Sequence, residues 1–75
     1  MNAEFDKRVG QNVRALRIRN NWSQELLAAK LQICGCDMTR SALAKIEVGQ
    51  RHLYPDEIIL FRDILNVSFE DILKI

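Results

Sequence analysis

The sequence has little of what marks membrane-spanning or secreted proteins. Its longest apolar runs are four residues, such as 58–61, whereas a helix that crosses a bilayer needs about 20. The first residues include Glu4 and Asp6 and hold no apolar core, so no signal peptide is expected. A Ser-, Gly- or Pro-rich linker, an internal repeat and a low-complexity run are also missing. We therefore expect one domain, residues 1–75, in the cytoplasm and not in a membrane.

Cysteine and histidine are too few for a zinc site or for nucleophilic catalysis. Cys34 and Cys36 are separated by one residue, and His52 could add a third ligand, while a structural zinc ion needs four. There is neither a nucleophile–base arrangement nor a Gly-rich phosphate loop. We expect no metal, no cofactor, no small-molecule ligand and no enzymatic activity, and two free thiols that are buried or half-buried.

The chain has no large excess of either charge. Its net charge is +1, but the charged residues are unevenly distributed along it. Residues 1–54 carry a balance of +4, and residues 55–75 carry −3. This polarity would orient the first half of the molecule toward a polyanion. Chance clustering in a short chain would give the same pattern.

What the sequence does contain is a short helix with a signal at each end, predicted over residues 40–48. Thr39 is a good N-cap, because its hydroxyl can accept a hydrogen bond from the first turn. Met38 and Leu43 occupy the two positions of a hydrophobic staple. Gly49 can take the left-handed conformation that ends a helix.

The two faces of this helix differ. Ala42, Leu43 and Ile46 share one side at the helical period. The opposite side carries small and cationic residues: Arg40, Ser41, Ala44, Lys45 and Val48. Such a face suits the major groove of DNA, since small residues let the backbone approach and cationic ones reach base edges or phosphates. An ordinary solvated surface helix fits this segment equally well.

Periodic apolar residues and caps predict four further helices. They span residues 3–20, residues 23–34, a segment from Pro55 to Asn66, and a last short helix capped by Ser68. The chain shows no convincing strand, so its predicted class is all-α.

Several motifs in this order resemble one known family. They are Val9-Gly10-x-Asn12-Val13-Arg14-x-Leu16-Arg17, Trp22-Ser23-Gln24-Glu25-x-Leu27-Ala28, Ser41-x-Leu43-x-x-Ile46-Glu47-x-Gly49-x-Arg51 and Leu65-x-Val67-Ser68. Together they are similar to the Cro/repressor-type helix-turn-helix proteins over residues 5–73. The resemblance implies a five-helix, lambda-repressor-like DNA-binding domain. Residues 23–34 would be the first motif helix and residues 40–48 the recognition helix.

The resemblance also implies roles for individual side chains. Those that would face base edges are Arg40, Ser41, Ala44 and Lys45. Those that would contact the DNA backbone are Gln24, Thr39, Gln50 and Arg51. Arg17 and Glu47 match a structural ion pair that ties the first helix to the end of the recognition helix. Helix capping by Thr39, and a solvated loop at residues 50–51, are the alternatives without DNA.

One segment departs from the family pattern, because residues 32–38 are longer than the usual turn between the motif helices. An extra helical turn through Cys34 would absorb most of the difference, with Ile33 and Cys34 tucked under the loop. The expected function is sequence-specific binding of double-stranded DNA by a repressor. A homodimer would form through the C-terminal helices, with Leu73 and Ile75 as candidates. The alternative is a protein-interaction module, such as an antitoxin or a regulator's partner.

Overall fold

The computed structural model describes residues 2–75, and within them it contains five helices and no strand. The helices are α1 (Ala3–Arg19), α2 (Gln24–Ile33), α3 (Arg40–Glu47), α4 (Pro55–Leu65) and α5 (Phe69–Leu73). The predicted all-α, five-helix class is confirmed. The observed ends lie within one residue of the predicted ones, because the residues assigned to the ends act as caps just outside the helices.

Side chains of four polar residues cap the helix N-termini. Ser23 Oγ accepts from Leu26 N at 3.0 Å, and Thr39 Oγ1 accepts from Ala42 N at 3.0 Å. Asn2 and Ser68 make the equivalent bonds for α1 and α5. Each bond satisfies a backbone N–H that has no partner inside its own helix, so these residues fix where the helices begin.

The C-terminal ends of α1, α2 and α3 share one hydrogen-bond pattern. At the end of α2, Gly35 N donates to Gln32 O at 3.0 Å and Cys36 N donates to Leu31 O at 3.0 Å. This Schellman arrangement needs a left-handed residue. Gly35 (φ 87°), Gly49 (φ 80°) and Asn21 (φ 60°) supply it after α2, α3 and α1.

The core lies where all five helices meet. α1 packs against α3 and α5, and α2 packs against α3 and α4. Buried side chains include Val13, Leu31, Leu43, Phe61 and Ile72, one from each helix. On α3 the predicted apolar side is the buried one, since Leu43 and Ile46 lie in the core. On α2, Leu27, Ala28 and Leu31 are buried, whereas Leu26 remains 42% exposed.

The connection between α2 and α3 differs from the prediction. Ile33 is 85% exposed and Cys34 is exposed, so neither is tucked under the loop. The chain reverses at Gly35, and Met38 fills the core instead, fully buried. Gln32 Nε2 donates to Met38 O at 2.7 Å and holds that residue in place. The helix ends at Ile33, one residue before the predicted end, with Cys34 as its C-cap, and the remaining residues up to Met38 form an ordered connection.

Glycine permits the close crossing of α1 and α3. A Cβ atom at Gly10 would overlap the carbonyl oxygen of Ile46. A Cβ atom at Gly49 would lie 2.7 Å from Cα of Lys7. With no side chain at either position, the C-terminal end of α3 rests directly on the backbone of α1.

Candidate nucleic-acid interface

The outward face of α3 is the candidate interface. Arg40, Ser41 and Lys45 are exposed, and Ala44 is half-buried between them. On the opposite side, Leu43 and Ile46 are buried in the core. The amphipathic pattern therefore orients this helix as the sequence suggests, with the cationic and small side chains pointing outward.

Val48 belongs to the same exposed surface. It is the residue directly after α3 and is 59% exposed. The sequence pattern places it on the outward side, but a valine offers no polar group and no role was assigned to it. An exposed methyl pair beside Lys45 gives this surface an apolar component.

A buried carboxylate fixes the orientation of α3. Glu47 is the last residue of the helix, and its side chain is only 1% exposed. Arg17 of α1 donates from Nε to Glu47 Oε2 at 2.7 Å and from Nη2 to Glu47 Oε1 at 3.0 Å. Such a two-bond contact constrains the angle as well as the distance between its partners. The residues that the resemblance paired are therefore in direct contact.

The guanidinium of Arg17 serves a second element. Its Nη1 donates to the carbonyl oxygen of Trp22 at 2.8 Å, in the segment that precedes α2. The hydrogen bond with Glu47 raises the pKa of Arg17 further above its ordinary value, against the effect of burial. Arg17 is thus a charged structural residue, held in its ionised form by Glu47.

Gln24 joins the same network. Its Nε2 donates to Glu47 Oε1 at 3.0 Å, so α2 is tied to the end of α3. Sequence reasoning assigned Gln24 to a phosphate and missed this bond. The amide nitrogen carries two hydrogens, and only one of them is used in the bond to Glu47. The network of Arg17, Gln24 and Glu47 connects α1, α2 and α3 through one carboxylate.

Thr39 and Gln50 flank the two ends of α3. The Thr39 hydroxyl accepts from Ala42 N, so capping is its observed contact. Gln50 is exposed, and its backbone N–H completes the end of α3 by donating to Lys45 O at 2.8 Å. The exposed side chain of Gln50 is on the segment that follows the candidate face.

Arg51 has a partner that the sequence did not indicate. Its Nη1 and Nη2 donate to the two carboxylate oxygens of Glu57, at 3.0 and 2.9 Å. Burial opposes ionisation of Glu57, but the hydrogen bonds from Arg51 and from Tyr54 N outweigh it and lower the pKa of this carboxyl. The sequence places Glu57 in the first turn of α4, only six residues after Arg51. This short separation is the sequence feature that could have indicated the ion pair.

Within residues 2–75, no three metal-ligating side chains come together. No helix in that range has the length and apolar character to cross a membrane.

Two helices joined by a defined connection, the second exposed and fixed by a buried network, make this a helix-turn-helix protein. The family model described as helix-turn-helix matches residues 13–72. The chain therefore belongs to the helix-turn-helix family, and the Cro/repressor-type resemblance is confirmed. Membership supports the general class of DNA-binding transcription regulators.

A solved structure shares the fold. The chain is similar to the structure titled "Crystal structure of the DNA-binding domain of BldD", with a TM-score of 0.79 and 19% identity. The match covers 97% of this chain and 99% of that one. No curated protein sequence matches the chain.

Proposed function

We propose that this protein binds double-stranded DNA in a sequence-specific manner and represses transcription, with α3 inserted in the major groove. The observation that carries the proposal is the exposed face of Arg40, Ser41 and Lys45 on a helix whose opposite side is buried. Glu47 holds that helix at a fixed angle to α1 and α2. A fixed helix lets side chains meet base edges with little loss of conformational entropy on binding.

Base readout is assigned to the four residues of the outward face. A guanidinium such as that of Arg40 fits the O6 and N7 atoms of guanine, and a well-formed bidentate pair of this kind contributes about 1–3 kcal/mol of discrimination. Ser41 adds a hydroxyl donor on a short side chain, and Lys45 adds an ammonium donor on a long one. Ala44 offers a methyl group that can pack on a thymine methyl.

Backbone contacts are assigned to Gln24, Thr39, Gln50 and Arg51. Gln24 opens α2, where free backbone N–H groups and the helix dipole favour a phosphate. Arg51 should contribute less than an unpaired arginine, because Glu57 already neutralises its charge. Such contacts fix the position of the protein on DNA without reading the sequence.

A symmetric homodimer would place two copies of α3 about 34 Å apart, on half-sites one turn of DNA apart. The C-terminal helix supplies the proposed contact. Leu73 is half-buried against the core, whereas Ile75 is 77% exposed and Phe69 is 40% exposed. Leu73 therefore serves mainly the core, and Ile75 is the better candidate for the interface.

Selection of bound duplexes from a random pool tests the proposal. We expect a palindromic consensus, and binding to it that weakens steeply as salt rises, through counterion release. Arg40→Ala should weaken binding to the consensus and relax the preference at one base pair. Arg8→Ala is the matched control, because Arg8 is an exposed arginine of α1 paired with Glu4. Equal binding by wild type and Arg40→Ala, or no enriched sequence, would overturn the assignment.

The alternative function is binding of another protein through the same fold. Exposed apolar residues on α2 favour it, since Leu26 is 42% and Ile33 is 85% exposed. A partner held through these residues would tolerate salt, whereas DNA would not. Replacement of both by polar residues separates the two functions, because it should leave DNA binding intact.

A further inference from the structure

One stripe of α1 runs past the C-terminal end of α3. Its four residues are spaced by three, four and three positions, which places them on the same side of a helix. They are Lys7, Gly10, Arg14 and Arg17. Gly10 lies against the backbone of Ile46, and Arg17 binds Glu47. The other two members of the stripe, Lys7 and Arg14, are exposed.

Lys7 leaves α1 directly beside the segment that follows α3. A Cβ atom at Gly49 would lie 2.7 Å from Cα and 3.0 Å from Cβ of Lys7, so the two backbones are in contact there. Gln50, the next residue, is exposed and is one of the proposed contacts to the DNA backbone. The side chain of Lys7 therefore begins at the edge of the candidate interface, and α1 continues that surface.

The protein itself does not compensate these two charges. Within residues 2–75, neither Lys7 nor Arg14 forms a salt bridge. Glu4, which lies one turn before Lys7, pairs with Arg8 instead, at 3.9 Å. Both cations of the stripe are therefore exposed to solvent and can bind an anion outside the chain.

We propose that Lys7 and Arg14 bind phosphates of the DNA strand that borders the C-terminal end of α3. The inference rests on the proposed function, because it takes α3 to lie in the major groove. This groove is about 12 Å wide, and a helix with its side chains is about 10–12 Å across. An element packed beside α3 then lies over a bordering strand and not inside the groove. Ammonium and guanidinium groups bind phosphate oxygens there through charge-assisted hydrogen bonds.

DNA binding measured against salt concentration tests the proposal. The probes are the duplex selected from the random pool and a mixed-sequence duplex of the same length. Each phosphate contact contributes about 0.9 to the slope of log Kobs against log salt. We expect Lys7→Ala and Arg14→Ala each to lose about this much of the slope. Each variant should also weaken binding to both duplexes by the same factor, because phosphate contacts do not read the sequence.

Arg8→Ala is the matched control. Arg8 is exposed and adjacent to Lys7 in the chain, but it lies off the stripe and beside Glu4, so the wild-type slope should be retained although the same charge is lost. Lys7→Arg keeps the charge and should also retain the slope. Alanine preserves the Cβ atom that packs at Gly49, so Lys7→Ala should melt like the wild type by circular dichroism.

A slope equal to that of Arg8→Ala in either variant would overturn the phosphate contact of that residue. A changed consensus for Lys7→Ala or Arg14→Ala would overturn it as well, because it would indicate base readout. The effect of Arg40→Ala on the consensus duplex is measured in the same assay, so the proposed function can hold when the α1 contacts fail. Absence of binding to either duplex by the wild type would overturn both.

Discussion

Glu47→Ala is expected to be the most destabilising polar substitution on α3. The carboxylate is 1% exposed and receives three hydrogen bonds, two from Arg17 and one from Gln24. Truncation removes the anion but leaves the guanidinium of Arg17, whose side chain is only 11% exposed. Water cannot replace the lost partner fully, so a buried cation remains without compensation.

The magnitude follows from that stranded charge. Breaking a buried ion pair by removing one partner costs on the order of 3–5 kcal/mol. Small domains have a total free energy of unfolding of about 5–15 kcal/mol, and a chain of 75 residues belongs near the lower end. Each 1 kcal/mol lowers the Tm of a domain this size by about 4–8 °C. We therefore expect Glu47→Ala to melt roughly 12 °C or more below wild type, or to be unfolded at room temperature.

Thermal melts by far-UV circular dichroism measure this effect, with Lys45→Ala as the control. Lys45 lies on the same helix but is exposed, so its truncation should change the free energy of unfolding by less than about 0.5 kcal/mol. Lys45→Ala is nevertheless expected to bind DNA more weakly than the wild type while it stays folded. Equal losses of Tm in the two variants would refute the structural role assigned to Glu47.

The left-handed glycines give a matched pair. Gly35→Ala and Gly49→Ala each place an alanine in the left-handed region, which costs about 1–2 kcal/mol. Only the new Cβ at position 49 also meets the backbone of Lys7, so urea titration should show a clearly larger loss in the free energy of unfolding for Gly49→Ala. Similar losses in the two variants would contradict the close packing of α1 and α3. The acid limb of stability should depend on Glu57. Because its pKa is lowered in the folded state, its contribution is present above the ordinary glutamate pKa of about 4.3 and is lost as pH falls through the folded value. The free energy of unfolding, measured by urea titration from pH 6 downward, should therefore decline less steeply in Glu57→Gln than in the wild type, and parallel profiles would rule the ion pair out as the cause.

Several features were predictable from the sequence because their causes are local. Thr39 and Ser23 cap their helices by bonds that span three residues, and Gly49 ends α3 within the same turn. Helical periodicity alone identified the side of α3 that is buried. The pairing of Arg17 with Glu47 came from the family resemblance, because 30 residues separate the two along the chain.

The sequence by itself determined where the helices begin and end and which face of α3 is apolar, since caps and periodicity act within a few residues. Only the tertiary structure decided which partners the long polar side chains bind. Gln24 reaches Glu47 across 23 residues, and Arg51 binds Glu57 in preference to solvent. It also decided that Met38 is buried and Ile33 is exposed. Both outcomes depend on how the helices pack, because apolar residues compete for limited core volume and charged residues pair with whichever partner the fold brings near.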